Sequence, residues 1–255
     1  MKWRTPLLVL AGVLLLAGCD GGPPKVPDRN HEDAGPFPAA DRPVANIVSS
    51  RWSTEEARDR LNEAGEVMDK SGIRPGMTVA DIGAGAGYYT VRLSSRVGPK
   101  GRVLAEDIVP EVRDALARRV ARERLDNVSV RLGKPADPLL PADSFDRILM
   151  VHMYHEIESP YEFLWYMRPS LRPDGEVIVV DADRPTQYHG TPPALLKCEF
   201  AAVGYTLIRM EPMPSAGGYL AVFKAQGPRP EPADIRPCRL AQPAATPAST
   251  RHATS

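Results

Sequence analysis

The segment Val79–Thr90, VADIGAGAGYYT, limits what this chain can fold into more than any other stretch. An apolar run ends in Asp81, and glycines follow at 83, 85 and 87. The pattern predicts a buried strand, a tight turn and a helix whose first amides are free to meet a ligand. Glycine suits such a turn because it adopts positive φ and lacks the Cβ that blocks close approach. The dinucleotide fingerprint requires glycines at the first, third and sixth places. The sixth place here is Tyr88, so that spacing fails.

Strand and helix signals alternate along the rest of the chain. GRVLAEDI (101–108) is a second short apolar strand ending in acids, and NVSVRLGKPADPLLP (127–141) supplies a third strand with its loop. SFDRILMVHMYHEI (144–157) is the fourth, and LRPDGEVIVVDADRP (171–185) the fifth, with Pro173, Asp174 and Gly175 as its turn. A last strand pair near 205–211 and 218–224 turns at SAGG. Helices are expected over 53–70, 86–97, 110–125, 160–171 and 191–203, the first with Ser53 as N-cap and Glu56 as its capping-box partner. Five such βα units predict a parallel sheet covered on both faces, with ligand at the carboxyl ends of strands one, two and four.

An acid before the strand end followed by Gly-x-Gly-x-Gly resembles motif I of class I S-adenosylmethionine-dependent methyltransferases, and the likeness runs over about residues 60 to 224. It implies an α/β fold: a doubly wound, mostly parallel seven-stranded sheet with helices on both faces and an antiparallel hairpin at its edge. It implies S-adenosylmethionine as cofactor, with Asp81, Gly83, Gly85 and Gly87 at the turn. Asp107 falls where a carboxylate takes two ribose hydroxyls, and Glu106 is packed or exposed. Many members carry an acid after the glycine that ends strand three, where it accepts from the adenine amino group. That place is Lys134 here, and Asp137 is the nearest replacement.

Past the fourth strand, His152, Met153, Tyr154, His155 and Glu156 fall where the resemblance has donor sulfur meet acceptor. His155 is the expected base, since imidazole titrates near neutral pH. Tyr154 is the second catalytic candidate, and His152 is expected beside the adenosine. The bland reading has both histidines capping a strand-to-helix turn. No metal is expected, because His-x-x-His-Glu is not the His-Glu-x-x-His zinc arrangement and no third ligand stands out. The implied activity is methyl transfer to a small-molecule acceptor that the sequence does not identify.

The N-terminus carries a second signal. Lys2 and Arg4 precede an apolar run from Leu7 to Leu16, and Leu-Ala-Gly-Cys follows. A run that short falls below the ~20 residues needed to span a bilayer, and the arrangement is that of a secretory signal. Its ending resembles a bacterial lipobox, in which Cys19 is lipidated after cleavage. Asp20 resembles an inner-membrane retention signal. The expected organisation is a signal peptide over 1–18, a Pro/Gly-rich tether over 19–45, a globular domain over 46–226 and a disordered Pro/Ala-rich tail over 227–255. The location implied is the cell envelope, anchored to a membrane and facing the periplasm.

The 32 basic and 32 acidic side chains balance, which argues against nucleic acid as a partner. In the one basic cluster, 111–125, Val112, Leu116, Val120 and Leu125 recur at helical spacing, so its arginines read as a solvated face. Cys198 reads as a buried small apolar side chain and Cys238 as part of the tail. A disulfide between them suits an oxidising compartment, but no spacing specifies it. Export also sets a conflict, since the cofactor is made in the cytoplasm. A membrane-tethered, non-catalytic binding protein on the same fold is therefore the competing reading. Nothing in the sequence sets an oligomeric state.

Overall fold

The computed structural model describes residues 35–47 and 54–239. Its centre is a seven-stranded sheet in the order β3-β2-β1-β4-β5-β7-β6. The strands are β1 Thr78–Ile82, β2 Arg102–Asp107, β3 Val128–Leu132, β4 Phe145–Val151, β5 Leu171–Asp181, β6 Tyr205–Met213 and β7 Gly218–Ala225. β1 to β5 run parallel, β7 pairs antiparallel with β5, and β6 pairs antiparallel with β7. The expected doubly wound α/β sheet is present.

Side chains alternate between the two faces, and each face has its own core. Ile148 and Met150 of β4 and Val177 and Val179 of β5 point to one side. There they meet Phe163, Leu164 and Met167 of α5 (Pro160–Met167) and Leu195, Leu196 and Phe200 of α6 (Pro193–Ala202). Leu149, Ile178 and Val180 point to the other. They meet Val67 and Met68 of α2 (Glu63–Lys70) and Tyr89, Leu93 and Val97 of α3 (Tyr88–Val97). The helix α4, Pro110–Arg122, packs on β2 and β3, and of its side chains only Leu116 is buried.

Two local expectations change. The helix expected over 53–70 is two helices, α1 Glu55–Arg60 and α2, broken where Asn62 turns left-handed at φ 52°. Asparagine tolerates that region. Ser53 lies outside the described residues, and Thr54 caps α1 by accepting from the Ala57 amide at 3.3 Å. Pro173–Gly175 are not the turn before β5. They sit within it, where the pairing with β4 slips between Phe145 and Arg147.

The larger correction concerns both ends of the domain. The stretch assigned to the tether packs on the fold through Phe37, which meets Trp165 edge-on at 5.5 Å, and through the buried Arg42. Its Nε donates to Glu199 Oε1 at 2.8 Å and its Nη2 to the Ile157 carbonyl at 3.0 Å. The stretch assigned to the tail packs as well, up to Arg239. Trp165 Nε1 donates to the Pro230 carbonyl at 2.9 Å, and Ile235 and Cys238 are buried. Cys198 and Cys238 form a disulfide, so Cys198, on the exposed side of α6, is not a buried thiol. Closing a loop with a sequence separation of 40 is worth about 4 kcal/mol in the chain-entropy account. The domain boundaries drawn at 45/46 and 226/227 thus fall inside the folded body. Both segments lack periodicity and hold on by a few large side chains.

Breaking a buried ion pair from one side strands the other charge, at roughly 3–5 kcal/mol. Arg42→Ala should therefore lower the urea midpoint of the full chain markedly, whereas adding Glu199→Gln, which removes the stranded charge and keeps an acceptor for the Tyr154 hydroxyl, should recover part of the loss. An unchanged midpoint for the single variant would mean that the N-terminal strap adds nothing to stability.

Candidate active site

The glycine turn follows β1 directly. Gly83, Gly85 and Gly87 hold φ values of +65°, +55° and +91°, and Gly87 opens α3. A Cβ on Gly87 would come within 2.5 Å of Leu116 Cδ1, so that side chain would have to shift, and the φ of +91° itself favours glycine there. Buried Asp81 braces the turn from beneath, accepting from Thr90 Oγ1 of α3 at 2.6 Å. Asp107, at the end of β2, clamps it from the side. Its Oδ2 accepts from the Gly85 amide at 3.0 Å and its Oδ1 from the Val109 amide at 2.9 Å. The turn, Asp107 and the end of β4 open onto a cavity of about 770 Å³.

Glu106 also lines this cavity, and its residue is 1% exposed. Its carboxyl lies against Gly133, where a Cβ would sit 1.8 Å from Oε1, and that oxygen has no partner. Asp137, the expected adenine contact, does not line the cavity. Its Oδ1 accepts from the Leu139 amide at 2.8 Å, and its backbone pairs with that of Lys134 in a tight loop. The acid that lies against the glycine ending β3 and lines the cavity is Glu106.

At the end of β4 the chain enters a short 3-10 turn, Tyr154–Glu156, that sends neighbouring side chains in opposite directions. Tyr154 goes into the core. It is fully buried, it donates from its hydroxyl to Glu199 Oε2 at 2.8 Å, and it does not line the cavity. The expectation that Tyr154 faces the acceptor is corrected. His155 goes to the cavity, with Nδ1 3.0 Å from Asp181 Oδ1 and 3.1 Å from Oδ2. Asp181, the last residue of β5, also accepts from Thr191 Oγ1 at 2.7 Å and from the Ala182 amide at 2.9 Å. A carboxylate among those donors can only accept, so Nδ1 carries the hydrogen. Nε2 of His155 is left buried without a partner.

His152 lines the same cavity in a left-handed conformation, φ 55°, with its amide donating to the Val180 carbonyl. Desolvation pushes its imidazole below the ordinary value. Its neighbour Met153 lies over Gly83, whose missing Cβ would be 3.0 Å from the methionine Cβ. Across the cavity, Arg58 of α1 pairs with Glu63 at 2.5 Å and stacks over the Tyr88 ring at 3.8 Å. Arg58, Glu63, Asp181 and His189 all belong to the site region and were not singled out in the sequence. Asp181 had a readable signal, an acid ending the apolar run IVVD as Asp81 ends VAD.

Comparison with known proteins places the sequence and fold among methyltransferase-like chains. Residues 79–175 match the family described as a methyltransferase domain. The chain is 38% identical to nocamycin O-methyltransferase of Saccharothrix syringae over 116 residues, covering 45% of this chain and 41% of that one. It is 33% identical over 126 residues to the ubiquinone/menaquinone biosynthesis C-methyltransferase UbiE of Hahella chejuensis, covering 47% and 48%. The chain thus spans about half the length of the curated relatives it matches. The crystal structure of a SAM dependent methyltransferase from Aquifex aeolicus superposes with a TM-score of 0.57 at 24% identity, covering 68% of this chain and 97% of that one. The fold is the Rossmann-like fold of class I methyltransferases. The segment that matches the methyltransferase-domain family, residues 79–175, contains the glycine turn, Asp107 and His155.

Burial, and then the neighbouring Asp107, push Glu106 up to about 8, and burial pushes Asp81 up to about 6. Both folded-state values exceed those of the unfolded chain, so the folded protein holds protons that the unfolded chain has released. Stability should fall as pH rises from about 4 to 8, with Asp81 acting in the lower part and Glu106 across most of it. Glu106→Gln should flatten this decline and raise the unfolding free energy at pH 8.5 by at most on the order of 3–5 kcal/mol, read as a higher melting temperature. A variant that melts lower than wild type at that pH would contradict this account.

Proposed function

We propose that this protein transfers a methyl group from S-adenosylmethionine to a small acceptor held in the 770 Å³ cavity. One observation carries the reading: the glycine turn, Asp107 and the unpartnered Nε2 of His155 share that cavity. Asp107 accepts from the Gly85 and Val109 amides, and a carboxylate with about four acceptor sites has capacity left for a ribose hydroxyl. A protonated Glu106 offers one donor and one acceptor, the complement of the N1 and amino group on the adenine edge, which Lys134 cannot match. Asp181 fixes the His155 ring, and Nε2 takes the acceptor's proton as the new bond to methyl forms and the carbon–sulfur bond breaks. The sulfonium is already activated, so in-line positioning supplies much of the remainder. The aimed Asp181–His155 pair favours turnover over the tethered binding protein.

The location follows as part of the same proposal. Cys19, which lies outside the described residues, carries lipid, and the domain faces the periplasm from the membrane. The basic and apolar leader supports this, as does the Cys198–Cys238 disulfide, a bond typical of oxidising compartments. Among the described residues no helix is long and apolar enough to cross a membrane.

Two experiments test these statements. Calorimetry of the full chain should show S-adenosylhomocysteine binding that Asp107→Ala weakens about tenfold or more, the effect of stranding ligand hydroxyls. His155→Ala should leave that affinity nearly unchanged while slowing methylation of a panel of small phenols, thiols and quinols by about 10²–10⁴-fold. Tight binding with no acceptor methylated by wild type would move the assignment to the tethered binder. Separately, Cys19→Ser should abolish lipid labelling and release the protein from membranes. Persistence of both would refute the anchor.

A further inference from the structure

We propose that His155, Glu156 and His189 form a binding site for one divalent transition-metal ion, with zinc the best match. One potential ligand atom from each lies within 4.8 Å of the other two, and all three residues line the cavity. Proximity alone would carry little. The second observation is the state of His155 itself. The residue is 1% exposed and lines the cavity, its Nδ1 is committed to Asp181, and its Nε2 is buried without a partner. Buried histidines in structural roles satisfy their polar ring atoms. A carboxylate that fixes one ring nitrogen while the other points outward is the arrangement that orients histidines on metals.

The loop after β5 supplies the third ligand. Thr191 and Arg184 amides both donate to the Ala182 carbonyl, folding this loop back over the end of the sheet. His189 sits in it at φ 60°, in the left-handed region that histidine enters more readily than most side chains. That conformation sets its ring edge-on to His155, with centroids 5.4 Å apart. Metal–nitrogen bonds of about 2.0–2.1 Å require the ligand atoms to draw together somewhat. His155 is pinned by Asp181, so Glu156 and His189, both half-buried, make that adjustment. Two imidazoles and a carboxylate suit zinc and leave a fourth position open toward the cavity.

The metal site stands on this geometry alone. What fills the open position rests on the methyl-transfer reading: a hydroxyl of the acceptor. Bound there, its oxygen would release its proton to solvent as the oxygen–methyl bond forms and the carbon–sulfur pair returns to sulfur. The single Nε2 lone pair serves one role at a time: it takes the acceptor's proton in the metal-free protein and holds the ion in the zinc-bound protein.

The full chain, stripped with a chelator, should bind one equivalent of Zn²⁺ by calorimetry, and Co²⁺ should give the visible absorption of a four-coordinate nitrogen–oxygen site. His189→Ala and Glu156→Gln should each weaken Zn²⁺ binding by roughly tenfold or more. Asp181→Asn, which touches no ion, should weaken it about 10–100-fold. Thermal melting confirms folding for each variant. S-adenosylhomocysteine binding, measured on the same samples, reports the methyl-transfer reading independently, so failure of one leaves the other legible. Folded wild type that binds no Zn²⁺, or binding indifferent to His189→Ala, would overturn the site.

Discussion

A carboxylate buried at the end of a parallel strand must be met by donors, and three such groups organise this molecule. Asp81, one residue before the end of β1, accepts from the Thr90 hydroxyl of the following helix. Asp107 at the end of β2 holds the Gly85 amide. Asp181 at the end of β5 gathers His155, Thr191 and the Ala182 amide. Each draws a loop back over the sheet edge, because leaving such a group unpaired costs far more than ordering the loop. The cavity is the space these returning loops enclose.

Two buried polar atoms in the cavity wall are not satisfied in this way. Glu106 Oε1 and His155 Nε2 lack partners although their residues are almost wholly buried. In a stable fold such exceptions call for an explanation. They stand on opposite sides of the proposed chemistry, one where a base edge would lie and one where an acceptor would lie. The fold therefore spends part of its stability on groups that only a ligand or ion can complete, which is the usual trade of activity against stability.

Much of the fold was legible because apolar strand runs and a glycine turn are local signals. The carboxyl-edge location of the site followed from parallel topology, and Asp107 and His155 followed from residues beside recognisable strand ends. What was not legible depended on distance. Asp181 reaches His155 only because β4 and β5 are neighbours in register, and His189 arrives on a loop after β5. Arg42 and Glu199 are 157 residues apart in sequence, and the strap carrying Arg42 shows no periodicity to betray its burial. Tyr154 was misassigned because a 3-10 turn sends adjacent side chains to opposite sides, and the sequence offered no sign of that turn.

Asp41 and Arg239 form a β-bridge near the two limits of the described body, with their side chains 3.9 Å apart. The folded chain is thus close to a ring. Such adjacency is what allows domains to be circularly permuted: a short peptide from Arg239 to Asp41 would close the ring, and the exposed turn at Pro99 and Lys100 offers a place to reopen it.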